Sequence, residues 1–84
     1  MEKLPVINMA RTGRNIAALR MQQGMSVRAL QQVFGFATPQ AIYKWQNGVS
    51  LPTVDNLVVL SKLLGVKVDD ILALEDEMQR KISA

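Results

Sequence analysis

Ser26-Val27-Arg28-Ala29-Leu30-Gln31-Gln32-Val33-Phe34-Gly35-Phe36-Ala37-Thr38-Pro39-Gln40-Ala41-Ile42-Tyr43-Lys44-Trp45-Gln46-Asn47-Gly48-Val49-Ser50-Leu51-Pro52 is the stretch that decides the fold. Ser26 can cap a helix, and Met25 before it with Leu30 four residues into it make a hydrophobic staple. Val33 and Phe34 continue the apolar stripe, and Gly35 ends it. Thr38-Pro39 then opens a second helix, with a capping hydroxyl and the one residue whose missing N–H costs nothing in a first turn. That helix, 39–47, stops at Gly48. If Ile42 and Trp45 face inward at i, i+3, then Gln40, Tyr43, Lys44 and Asn47 lie on its outward side.

The flanks read the same way. Met9, Ile16 and Leu19 sit at helical spacing between Asn8 and Gln23, and Gly24 can close that helix in a left-handed turn. After Pro52, Thr53 caps a segment in which Leu57, Leu60, Leu63 and Leu64 keep the i, i+3, i+4 rhythm up to Gly65. A fifth helix begins near Val68, with Asp69 and Asp70 suiting the positive end of its dipole and Ile71, Leu72 and Leu74 as its apolar face. Gly13, Gly24, Gly35, Gly48, Pro52 and Gly65 punctuate the chain into helix-sized pieces. Leu4-Pro5-Val6-Ile7, apolar, partly β-branched and interrupted by proline, reads as an extended arm. The expectation is an all-α, five-helix domain over 8–74, an N-terminal arm over 1–7, and over 75–84 either an extension of the last helix or a tail.

Eighty-four residues suit one domain, and with 49% hydrophobic against 20% charged residues the chain can bury a core. Neither cysteine nor histidine is present, which excludes disulfides, zinc ligation by thiolate or imidazole, and histidine acid–base catalysis. No apolar run approaches the roughly 18 to 20 residues that span a bilayer, and the N-terminus lacks a signal-peptide layout, so a cytoplasmic protein is expected. The net charge of +3 is unevenly spread. From Lys3 to Val54 stand six bases (Lys3, Arg11, Arg14, Arg20, Arg28, Lys44) and no acid, while Val68 to Ala84 hold five acids and two bases. Ordinary solubilising charge would mix the signs; a long acid-free stretch attracts a polyanion. No Gly-rich phosphate motif occurs, and five of the seven carboxylates crowd the C-terminal end, where helix dipole and solvation account for them. Neither an enzyme nor a cofactor is expected.

Asn15-Ile16-Ala17-Ala18-Leu19-Arg20, Ser26-Val27-Arg28-Ala29-Leu30, Phe34-Gly35-Phe36, Ile42-Tyr43-Lys44-Trp45-Gln46-Asn47-Gly48 and Leu51-Pro52-Thr53 occur in order at telling distances. Together with Asp55-Asn56-Leu57, Leu63-Leu64-Gly65-Val66 and Val68-Asp69-Asp70-Ile71-Leu72, they make the chain resemble the XRE family, the phage-repressor and Cro-like helix-turn-helix group. The resemblance covers roughly Asn8 to Leu74 and implies a lambda-repressor-like five-helix domain that binds double-stranded DNA and regulates transcription. Gln40, Lys44 and Tyr43 are then candidate base contacts: Gln can pair with adenine, Lys can meet the acceptors of guanine, and Tyr can touch a thymine methyl or a phosphate. Ser26, Arg28, Thr38, Asn47 and Ser50 are candidate phosphate contacts, Ser26 and Thr38 being caps first. Trp45 belongs to the core.

Three departures from the family pattern stand out, besides Gln46 at the position of an acid that often pairs with the residue matching Arg20; a charge-assisted hydrogen bond would replace that ion pair. Val27 stands where a phosphate-reaching Gln is common, the turn Gly35-Phe36-Ala37 is longer by one residue, and Gln31 replaces a small residue. The last two fall at one helix–helix contact and should compensate, the longer turn making room for the larger side chain and altering the angle at which the second helix enters the groove. A homodimer on an inverted-repeat operator is expected, joined through helix five and the tail (Leu72, Leu74, Met78) or through the arm (Leu4, Val6, Ile7), with Glu75, Asp76 and Glu77 directed away from phosphate. The alternative is an antitoxin-like or partner-binding regulator using the same fold, and polar Gln40, Lys44 and Asn47 favour DNA over it. Single-stranded RNA is a weaker third, since the chain has only four aromatic residues to stack on bases.

Overall fold

A computed structural model describes residues 4–75, so the expectations on Lys3, Asp76, Glu77 and Met78 lie outside the described residues. Five helices follow in the order α1 (Met9–Gln22), α2 (Val27–Phe34), α3 (Gln40–Gln46), α4 (Val54–Leu64) and α5 (Val68–Ile71). Their starts are fixed by side chains that accept a first-turn amide. Asn8 Oδ1 takes Arg11 N at 2.9 Å, Ser26 Oγ takes Ala29 N at 3.0 Å, and Thr53 Oγ1 takes Asn56 N at 3.4 Å. At α5 the Asp70 carboxylate reaches back to accept Lys67 N at 3.0 Å, so one of the two expected dipole-suited acids is a capping group. α3 departs from expectation: its regular turns begin at Gln40 with Pro39 in the cap position, and Thr38 Oγ1 meets Gln40 N only at 3.5 Å.

Every helix gives its apolar face to one core, made of Ile16 from α1, Leu30 from α2, Ile42 and Trp45 from α3, Leu60 and Leu64 from α4, and Ile71 from α5. On α2 the inward face is Val27, Leu30 and Phe34; Val33, expected on that stripe, is 52% exposed, because position i+3 from Leu30 falls on the outer shoulder once i+4 is turned inward. Val27 packs against the core, which accounts for an apolar residue at that place.

α5 does not extend through Leu74. It ends at Ile71, Leu72 is extended (φ −77°, ψ 133°), and the chain then runs antiparallel to the N-terminal arm. Ile7 and Leu74 form a β-bridge, with Asn8 N donating to Ala73 O at 2.7 Å and Glu75 N to Val6 O at 2.8 Å. Leu72 and Leu74 thus lie half-buried in extended chain, Leu74 at the bridge, rather than on a helical face. Polar groups of α1 hold this return: buried Thr12 Oγ1 accepts Ala73 N at 2.9 Å, and Asn15 Nδ2 donates to Ile71 O at 3.0 Å.

Gly13 does not punctuate anything; it lies inside α1. A Cβ there would press on the carbonyl oxygens of Trp45 and Gln46, the latter at 2.5 Å. Gly48, at φ +72°, also lies close to the start of α1, where a Cβ would meet Ala10 Cα at 2.9 Å. The absence of side chains at both points lets the C-terminal end of α3 lie directly on α1, which sets how α3 is presented.

Candidate nucleic-acid interface

α3 has only seven residues, too few for a helix to hold itself together, and its tertiary anchors decide which side faces out. Ile42 is fully buried and Trp45 is 5% exposed. Phe34 and Phe36, on either side of Gly35, stack on one another at 5.1 Å between ring centroids and meet Trp45 edge-on at 5.5 and 5.9 Å. Gly35 makes this possible by taking the left-handed conformation (φ 70°, ψ 26°) that closes α2. The turn therefore binds the recognition-helix candidate through three of the chain's four aromatic residues, leaving only Tyr43 outside the cluster.

With that side inward, Gln40, Tyr43, Lys44 and Asn47 are all exposed. Tyr43 keeps 48% of its surface in solvent, too much for a side chain that mainly shelters its neighbours. Ser26 and Arg28 are exposed at the first turn of α2, Thr38 is exposed in the turn before α3, and Ser50 is half-buried in the loop after it. Val49 N and Ser50 N both donate to Lys44 O, at 2.9 and 3.3 Å, so this loop folds back on the end of α3. Ser26 Oγ uses a lone pair in capping and retains its O–H hydrogen for an outside acceptor.

Two of the departures meet at one hydrogen bond: Gln31 Nε2 donates to Phe36 O at 3.2 Å, so this side chain tethers the turn. Arg20 Nε donates to Gln46 Oε1 at 2.9 Å and its Nη1 to Met25 O at 2.8 Å, linking the end of α1 to the end of α3 and to the residue before the cap of α2. The buried Thr12 hydroxyl and the Gly13 contact were not foreseen from the sequence, since each depends on a partner far along the chain, and the bond to Met25 O was not, since it depends on the path of the loop after α1.

A family model described as helix-turn-helix matches residues 16–71, two-thirds of the chain, and the protein belongs to that family. Among solved structures it is similar to the DNA-binding domain of BldD, with TM-score 0.65 and 26% identity over 77% of this chain and 93% of that one. The S. venezulae BldD DNA-binding domain matches with the same TM-score and identity, over 77% of this chain and 96% of that one. The restriction-modification controller protein C.AhdI from Aeromonas hydrophila, at 17% identity and TM-score 0.65 over 75% of this chain and 94% of that one, shares the fold. No curated protein sequence matches the chain. The XRE-type resemblance read from the motifs holds: this is a sequence-specific DNA-binding transcriptional regulator, and its partner is double-stranded DNA. The family is one of regulators rather than enzymes. Among the described residues no helix is long and apolar enough to cross a membrane.

Proposed function

We propose that residues 39–47 enter the major groove as the recognition helix, with Gln40, Tyr43 and Lys44 contacting base edges and Ser26, Arg28, Thr38, Asn47 and Ser50 contacting phosphates on either side. The observation that carries this reading is the division of α3 into a buried Ile42–Trp45 side and an exposed side made wholly of hydrogen-bonding residues. An interaction module would carry apolar groups there, so the polar side speaks against the antitoxin-like alternative. Arg28 and Lys44 lie in a stretch without carboxylates, as a phosphate-facing surface needs.

The functional unit is taken as residues 8–74, acting in the cytoplasm as a homodimer on an inverted repeat. Few contacts come from one helix-turn-helix, and a two-fold axis doubles them. The two apolar surfaces considered for dimerisation are continuous through the Ile7–Leu74 bridge, where Leu4 is 83% and Val6 57% exposed; this ribbon is the proposed contact. Selection from a randomised duplex pool, followed by sedimentation of the bound complex, tests the reading. An inverted repeat with half-site centres about one helical turn, roughly 34 Å, apart and two protomers per duplex is expected. A single unrepeated half-site holding one protomer overturns the dimer, and a pool without enrichment overturns the groove reading.

A further inference from the structure

Arg20 lies at the meeting point of the three elements that frame the interface, yet neither of its partners among the described residues is charged. The Gln46 side-chain carbonyl accepts from Nε at 2.9 Å and the Met25 backbone carbonyl from Nη1 at 2.8 Å. A guanidinium has five N–H donors in a rigid plane, and two neutral acceptors hold that plane while leaving the positive charge whole. Met25 immediately precedes Ser26, and Gln46 immediately precedes Asn47, so the guanidinium is bracketed by two of the residues assigned to phosphate. It is half-buried, fixed by two short bonds, and costs little further ordering when an anion arrives.

We propose that Arg20 is a phosphate-contacting residue of the DNA interface, and that Gln46 is the positioning residue that orients the guanidinium without neutralising it. A carboxylate at position 46 would form the same hydrogen bond, and more strongly, but would cancel the charge that the phosphate needs. The choice of an amide thus trades the strength of an internal pair for one more positive charge on the binding surface. Arg20 joins Arg28 and Lys44 in that surface, and among the described residues it is the one of the three whose direction is fixed by side-chain hydrogen bonds.

The inference rests on the DNA pose proposed above, and the salt dependence of binding separates the two. Affinity of the full chain for the duplex selected from a randomised pool is measured by fluorescence anisotropy across a salt series. Each phosphate neutralised contributes about 0.9 to the slope of log K against log salt. Gln46→Glu, which preserves the hydrogen bond, is expected to lower the slope by about 0.9 and to weaken binding on the order of tenfold at low salt. Its thermal melt should be no lower than that of the wild type, because the pair becomes ionic. Gln46→Met removes the acceptor and keeps the charge, so it is expected to weaken binding by releasing the guanidinium from its orientation. An unchanged slope in Gln46→Glu overturns the role of Arg20, and wild-type affinity in Gln46→Met overturns the positioning role of Gln46, while the pose stands. A wild-type protein that binds duplex without any salt dependence overturns the pose and this inference with it.

Discussion

Trp45 shows how one residue ties turn to helix. Its ring is the shared edge-on neighbour of Phe34 and Phe36, so the extended turn and α3 are held by the same side chain, and its 5% exposure leaves almost nothing for DNA. Trp45→Ala is expected to lose the fold first and DNA binding as a consequence. Removing a buried tryptophan costs about 3–5 kcal/mol, against a total of about 5–15 kcal/mol for a small domain. Thermal melting followed by circular dichroism checks this, and a mutant with wild-type melting that merely fails to bind DNA would make Trp45 a contact residue instead. Of the residues of α3, the inward pair Ile42 and Trp45 and the outward Gln40, Tyr43 and Lys44 were legible in the sequence, because a single period of 3.6 assigns all five once one is fixed. The hydrogen bond from Arg20 to Gln46 was legible through pairing chemistry, but the second bond to Met25 O depends on where the loop after α1 turns, which no local pattern records.

At the scale of elements, the contact between α1 and α3 is decided by glycine. Alanine is the better helix former by about 1 kcal/mol, so helix propensity alone would make Gly13→Ala stabilising. The added methyl, however, would face two backbone carbonyls that cannot move aside without shifting α3. Overpacking of this kind typically costs about 1–3 kcal/mol, and against backbone it falls at the upper end. Gly13→Ala is therefore expected to lower the melting temperature and to weaken DNA binding beyond what the lost stability explains; a higher melting temperature with unchanged affinity would mean that the two helices are not in such close contact. Helices α1, α2 and α4 were legible because capping residues and apolar spacing agree along each one, and α3 through the spacing of Ile42 and Trp45. The reading of Gly13 as punctuation failed because a glycine inside a helix and one that ends it look alike until the opposing backbone is in place. The end of α5 failed for a related reason: Leu72 and Leu74 suit a helix or a strand, and the choice is made by Thr12, Asn8 and the N-terminal arm, some sixty residues away in sequence, which supply the hydrogen bonds for an extended chain.

For the whole molecule, charge and shape agree: the acid-free part of the chain carries the helix-turn-helix, while Glu75 lies at the ribbon formed by the two ends of the described chain. The exposed Leu4 and Val6 belong to that ribbon, and Val54 and Val58, one turn apart on α4, form a second exposed apolar pair that the sequence reading did not single out because they fit the pattern of an ordinary helix. The central claim is that α3 packs through one side and reads DNA through the other, and the double substitution Gln40→Ala with Lys44→Ala tests it most directly. Affinity for the duplex selected by the wild-type protein is compared with affinity for a scrambled duplex, alongside thermal melting of both proteins. Each base contact is worth about 1–3 kcal/mol, so the double variant should lose most of its preference for the selected duplex, while its melting temperature stays close to that of the wild type. Full preference for the selected duplex in the folded double variant would contradict the account.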